Sequence, residues 1–296
     1  MNPQNYLRCN FLKLAGCIIT IVVVASTVGF AQDPANKTNG RTDITLRIPG
    51  VVKPFTFAHL SDLHICYVDS RNSELLDFVS RRENVFSRHG FGSPNQTTPK
   101  LFKRINETNP DLVIITGDYI DIPTEASLEV GAKLLDSYDA GIIFAIGNHE
   151  WIGSMLKVYA DRDYWIQRYE KLVGHPIEFY VRPMQGVNLV CVNHSAVTNR
   201  ITEQQLQQTK NILEKGWPCI FFMHVPIPLE LRPDREITET TAEFYELLKT
   251  HPQVKAIFAG HTHIENRVEY RSGHFQYIVQ AGFRNHYNYI TVLPVD

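Results

Sequence analysis

Six short runs of almost unbroken apolar residues, at 55–60, 112–116, 142–146, 187–193, 219–223 and 254–259, constrain this chain more than any other feature. Amphipathic stretches of helical period surround them, at 74–88, 99–107, 128–138, 156–172, 203–214 and 242–249. A strand that is apolar on both sides must be covered on both faces, so the alternation predicts parallel pairing beneath helices. After Gly260 the pattern changes. Segments 267–271, 275–280 and 289–293 follow without helices, and Ser272-Gly273 marks a hairpin turn before a return strand. Alternation that ends in a strand-only tail predicts an α/β sandwich of two mixed sheets with outer helices. No internal repeat and no Pro-, Gly- or Ser-rich linker divides it, so residues 43–296 are expected to form one domain.

Residues 1–31 stand apart. Arg8 and Lys13 are followed by an apolar run over 14–30 and by Gly29-Phe30-Ala31, the layout of a cleaved export signal. An uncleaved anchor over 14–30 is the alternative, because about 17 apolar residues suffice to cross a bilayer. Leu14-Ala15-Gly16-Cys17 resembles a lipid-attachment box, but the apolar stretch follows Cys17 instead of preceding it. Each version puts the remaining chain outside the cytoplasm, periplasmic or secreted, and on a membrane only if this segment is retained. Residues 32–42, polar with Pro34 and Gly40, read as a flexible lead-in. Removing 1–31 takes two of the 29 basic residues and none of the 31 acidic ones, so the net charge moves from −2 to −4. That balance weighs against a nucleic-acid partner, whose phosphates call for a cationic surface. The remaining cysteines, Cys66, Cys191 and Cys219, are odd in number and widely spaced, which predicts buried free thiols.

Polar clusters fall just beyond the apolar runs, where open α/β sheets place their sites. They are Ser61-Asp62-Leu63-His64, Gly117-Asp118-Tyr119-Ile120-Asp121, Gly147-Asn148-His149-Glu150, His224-Val225-Pro226 and Gly260-His261-Thr262-His263. Asp62 and His64 are two apart, as are His261 and His263, so on an extended strand end each pair would face one side. Carboxylate, imidazole and amide oxygen suit Mn, Fe or Zn. The donors exceed what one ion needs, and two ions sharing a carboxylate is the economical arrangement.

The five blocks, in this order over residues 62–263, resemble the calcineurin-like metallophosphoesterase family. The resemblance implies a four-layer α/β/β/α sandwich with a dinuclear centre at the strand carboxyl ends. Carried over, Asp62, His64 and His263 would hold the first metal, Asn148, His224 and His261 the second, and Asp118 would bridge them. The activity implied is hydrolysis of a small phosphomonoester or phosphodiester by metal-activated hydroxide, with His149 as general acid. Asp121 resembles the aspartate that pairs with this histidine in the protein Ser/Thr phosphatases. Ile122-Pro123 and Ile65 depart from the pattern of that branch, and Asp121 stands where purple acid phosphatases place a metal-binding tyrosine. His-Val-Pro-Ile-Pro from His224 is nearer the bacterial cyclic-nucleotide phosphodiesterases and exported phosphohydrolases.

His194, Arg284 and His286 are further candidates for contacts with substrate. The aromatic-rich stretch 151–169 is expected to form a helical flap packed by its Tyr and Trp side chains. Two competing readings keep the fold: a metal-dependent nuclease, disfavoured by the acidic charge, and a non-catalytic scaffold, from which ligands or the catalytic histidine would be expected to be missing.

Overall fold

The computed structural model describes residues 40–88, 90–138, 140–151, 162–195, 200–230 and 237–295. The expected export segment 1–31, most of the expected lead-in and residues 152–161 of the expected flap lie outside them. The described residues all fall within one contact-dense unit, Ala35–Asp296.

They form eleven strands in two mixed sheets. The first has the order β1 (Arg41–Arg47), β11 (Tyr287–Leu293), β2 (Phe55–Leu60), β3 (Leu112–Thr116), β4 (Gly141–Ala145). The second runs β5 (Phe179–Met184), β6 (Val187–Val192), β7 (Cys219–Phe222), β8 (Val254–Ala259), β10 (His274–Ile278), β9 (Asn266–Arg271). All six apolar runs are strands, and β2–β3–β4 and β6–β7–β8 pair in parallel as predicted. Helices α1 (Leu76–Ser87), α2 (Pro94–Thr108), α3 (Glu125–Leu135), α4 (Arg162–Val173), α5 (Glu203–Glu214) and α6 (Glu239–Thr250) lie between the strands.

Three buried clusters reveal the four layers. Ala58, Leu60, Val113 and Ile115 turn toward Leu101, Phe102 and Ile105 of α2 and Trp165 and Tyr169 of α4. Their sequence neighbours Phe57, Leu112 and Ile114 face Leu189, Phe222 and Phe258 between the sheets. Beyond the second sheet, Val190, Phe221 and Ile257 meet Leu206 and Leu213 of α5 and Phe244 and Leu248 of α6. Alternate residues of one apolar run thus serve two cores, which is why these strands carry few polar residues. Phe57 is fully buried and packs edge-on against Phe222 and Phe258 at 5.6 and 5.4 Å.

One expectation needs correction, and one strand was not foreseen. The segment expected to be a flexible lead-in to residue 42 already enters β1 at Arg41. Strand β5 went unpredicted because Arg182 and Pro183 break its apolar pattern; as an edge strand, antiparallel to β6, it tolerates a proline. The tail forms the expected hairpin and return strand. Strands β9 and β10 make the hairpin on β8, and β11 crosses back to the first sheet, antiparallel to β2 and parallel to β1. That crossing carries residues 279–286 over the ends of both sheets.

Candidate metal centre

The five polar clusters meet where the parallel strands of the two sheets end. β2, β3 and β4 deliver Asp62, His64, Asp118 and Asn148; β7 and β8 deliver His224, His261 and His263. The paired residues do not face one side through extended backbone, as the sequence suggested. Asp62, His64, Asp118, His261 and His263 all have left-handed backbone, with φ of 55°, 51°, 49°, 70° and 59°. Each turns its side chain inward while the neighbouring peptide groups stay paired. Asp62 N donates to Gly117 O, His64 N to Asp118 O, Ile65 N to Tyr119 O, and Asp121 N back to Ile65 O. The β2–β3 ladder therefore continues past the ligands and brings Asp121 beside His64. Left-handed non-glycine residues are costly and gather at functional sites, and Asp and His tolerate that region better than most.

Close approach of the loops accounts for two glycines. A Cβ on Gly147 would meet the backbone nitrogen and carboxylate of Asp118, and one on Gly260 would meet the Ser61 hydroxyl.

Two groups of ligand atoms share Asp118. One is Asp62, His64, Asp118 and His263; the other is Asp118, His224 and His261. In the first group His263 Nε2 lies 3.2 Å from both Asp62 Oδ1 and His64 Nε2. In the second, His224 Nε2 has Asn148 Oδ1 at 3.0 Å, Asp118 Oδ2 at 3.2 Å and His261 Nδ1 at 3.2 Å. His224 Nδ1 donates to the Thr116 carbonyl at 2.8 Å, so in the neutral ring Nε2 is a lone pair facing other acceptors. His64 is arranged alike, its Nδ1 directed at Asp121 Oδ1 at 2.9 Å and its Nε2 into the cluster. Lone pairs that converge without a donor need a cation, and the residues fit one. Nitrogen and carboxylate donors without thiolate suit Mn, Fe or Zn.

The electrostatics express the same demand. Burial pushes the Asp62 and Asp118 carboxyls up, but nearby imidazoles outweigh it and hold both below the usual carboxylate range. Burial would lower His224, yet the charge and hydrogen bond of Asp118, with Asp62 behind, raise it to about 10. A proton on His224 supplies positive charge that the carboxylates require, and a metal ion would supply it in the proton's place.

His149 sits at the rim, its side chain 16% exposed. Its backbone N–H donates to Asp118 Oδ1 at 2.8 Å and its Nδ1 lies 2.8 Å from Asp121 Oδ1. Burial lowers its pKa, but the Asp121 hydrogen bond and the Asp118 and Asp121 charges raise it above the ordinary 6.5. Asp121 is not reserved for His149. It also holds His64, and Arg82 of α1 grips it with Nε on Oδ2 at 2.8 Å and Nη2 on Oδ1 at 2.7 Å. Burial would raise the Asp121 carboxyl; Arg82, His149 and His64 together hold it well below the usual range. Phe86, one turn on from Arg82, stacks on the His64 ring at 4.6 Å.

Two of these residues carry no motif signal as structural supports. Arg82 comes from a distant helix, and Glu150, although inside a block, is turned inward. The Glu150 carboxylate accepts from the backbone of Asp118, Tyr119, Ile120 and Gly147 at 2.7–3.1 Å, tying the β3 loop to the β4 loop. Burial and the Asp118 charge push it up to about 7.

The three candidate substrate contacts are placed differently. Arg284 is beside the cluster, with Nη1 donating to His263 O at 3.2 Å. His286 is buried, with Nε2 3.3 Å from the Thr42 hydroxyl of β1. His194 is buried with both ring nitrogens engaged: Nδ1 donates to Val225 O at 2.9 Å, and Nε2 accepts from the Tyr245 hydroxyl at 2.7 Å. It braces the loop after His224. The three cysteines are buried and free, as expected.

The sequence pattern of calcineurin-like phosphoesterases matches residues 55–265, which takes in all five clusters. The chain belongs to the calcineurin-like phosphoesterase family. It is therefore a metal-dependent phosphoric ester hydrolase. It is similar to a 3′,5′-cyclic-nucleotide phosphodiesterase of Nostoc sp., at 24% identity over 75% of this chain and 76% of the relative. A probable cyclic nucleotide phosphodiesterase of Coxiella burnetii shares 25% identity over 72% of this chain and 78% of its own. Of solved phosphoesterase folds, a dimetal phosphatase from Danio rerio superposes with a TM-score of 0.53 at 15% identity, covering 80% of this chain and 91% of that one.

Proposed function

We propose that this phosphoesterase hydrolyses a small phosphodiester, with cyclic nucleotides the first class to try, at two divalent ions that share Asp118. Asp62, His64 and His263 hold one ion; Asn148, His224 and His261 hold the other. The observation that carries this reading is that two sets of ring-nitrogen lone pairs, His64 with His263 and His224 with His261, converge from both sheets on one carboxylate at the rim of which His149 stands. When bound, the ions supply Lewis acidity toward phosphoryl oxygens and lower the pKa of a water.

The residues divide the remaining work. Asp118 fixes the position of the cluster and, through Oδ1, the backbone of His149. Nδ1 of His149 is committed to Asp121, so Nε2 is the nitrogen that delivers a proton to the departing oxygen. Asp121, itself pinned by Arg82, keeps that ring oriented and its basicity raised. The names of the Nostoc and Coxiella relatives support a diester as the first substrate to try.

The decisive experiment uses protein lacking residues 1–31. Metal content is measured, and 3′,5′-cyclic AMP, bis(4-nitrophenyl) phosphate and 4-nitrophenyl phosphate are assayed with Mn2+. Two ions per chain and a preference for the diesters are expected. One ion, or turnover of the monoester alone, overturns the reading. The basic flank and apolar run of residues 1–31 support export of the rest of the chain, which cell fractionation with and without that segment tests.

A further inference from the structure

A pocket of about 680 Å3 opens beside His261 and Thr262, and its opposite wall is the segment that follows His224, from Val225 to Leu229. Val268 of β9 and Gln276 and Ile278 of β10 close it. The size suits a nucleoside-sized group. Much of the wall's backbone hydrogen bonding is already taken up within the protein. Val225 N donates to His194 O and Val225 O accepts from His194 Nδ1, both within 3.0 Å. Pro226 and Pro228 have no N–H. Ile227, between them, gives its N–H to Gln276 Oε1 at 2.8 Å and its carbonyl to Gln276 Nε2 at 3.1 Å. The buried Gln276 amide thus clamps the loop as a neighbouring strand would. Thr262 Oγ1 is directed at Ile264 O. Among the described residues no Lys, Arg, Asp or Glu lines the pocket, and its apolar surface comes from proline and branched aliphatic side chains.

We infer that this pocket receives the uncharged organic arm of the phosphate ester, and selects it by apolar contact without reading a hydrogen-bonding edge. The inference rests on the phosphoesterase reading above, since it is the shared His261 that makes the pocket part of the ester site. A neutral aromatic ring or a nucleobase face satisfies the pocket; an arm bearing a second phosphate or a carboxylate does not, because a charge buried there would meet no Lys or Arg among the described lining residues.

The test compares two diesters with one leaving group, bis(4-nitrophenyl) phosphate and methyl 4-nitrophenyl phosphate. The readout is the ratio of their kcat/KM values in wild type, Leu229→Asp and Val268→Asp. Both esters fall alike with any unfolded fraction, and their intrinsic reactivities are common to all variants, so the ratio reports the pocket alone. The aryl preference should drop about tenfold in each variant, chiefly through KM. Val52→Asp, at an exposed site outside the pocket, should keep the wild-type ratio. Competitive inhibition by phenylphosphonate against methylphosphonate should follow the same pattern. An unchanged ratio in both pocket variants, with the esters still turned over, overturns the inference and leaves the phosphoesterase reading intact. Failure of metal-loaded wild type to cleave either ester overturns that reading and this one with it. Cyclic AMP and cyclic GMP should differ by less than about threefold in kcat/KM; a difference near 100-fold means that the base edge is read, and overturns the selection rule.

Discussion

The two halves of the metal cluster are braced by different chemistry. On the side delivered by the first sheet, His64 and His149 both lean on the Asp121 carboxylate, which is itself held by the Arg82 guanidinium. On the side delivered by the second sheet, His224 leans on a neutral carbonyl of Thr116, and the loop behind it is pinned by His194 and Gln276. A carbonyl fixes a tautomer and an orientation. A carboxylate does that and also raises the basicity of the ring it holds. The contrast separates a half built to handle a proton from a half built to stay still beside a pocket.

Substitutions can break or sharpen that contrast, and Asp118, common to both halves, has the largest expected effect. Asp118→Ala should cost about 10³-fold or more in kcat and lower the metal content, read by turnover and elemental analysis. Restored turnover at high Mn2+ would mean that the shared carboxylate only tightens metal binding. Next comes the proton-handling side. His149→Gln should lower kcat by about 10²–10⁴-fold for esters with alkoxide leaving groups, and much less for 4-nitrophenyl esters, whose leaving group needs no acid. Equal losses on both would remove His149 from the role of proton donor.

Behind it, Asp121→Asn should cost about 10–100-fold. The sign of its pH effect follows from the geometry. A general acid works while protonated, so activity is lost as pH rises through its pKa. Asp121 raises His149 above 6.5, and without the carboxylate the basic limb should move to lower pH. Arg82→Leu should act in the same direction on kcat, more weakly, because it leaves the carboxylate in place. A basic limb that stays put in Asp121→Asn would break the distinction between the halves. The smallest effect belongs to the quiet side: Gln276→Leu leaves two buried Ile227 groups unpaired, destabilises by about 1–3 kcal/mol, and should raise KM more than it lowers kcat.

Much of this was legible before any geometry. The apolar runs located six strands because parallel strands covered on both faces leave little room for polar residues, and the polar clusters at their ends located every atom group that meets at Asp118. The missing parts share a cause: they act without a local pattern. Strands β1 and β5 are half-exposed edges whose composition reads as loop. The return of β11 to the first sheet depends on which partner offers an open edge, a tertiary fact that its own seven residues do not encode. Arg82 reaches Asp121 from 39 positions away, and Gln276 reaches Ile227 from 49, with no spacing rule that joins them. His194 follows a strand end and His286 lies in a loop, and such positions do not distinguish a ring facing a ligand from one bracing its own neighbourhood.

The left-handed backbone at Asp62, His64, Asp118, His261 and His263 has a consequence for how such a centre can change or be copied. Aspartate and histidine pass two unrelated filters at these positions, one steric and one chemical, because they tolerate positive φ and also donate to hard or borderline cations. Glutamate passes only the second. Glycine passes only the first, and would relieve backbone strain of about 1–2 kcal/mol at each position while deleting the ligand. The routes by which the chain gains stability here are therefore the routes by which it loses its metals. A graft of the same seven side chains onto relaxed strand ends would bring the donors without the backbone that aims them.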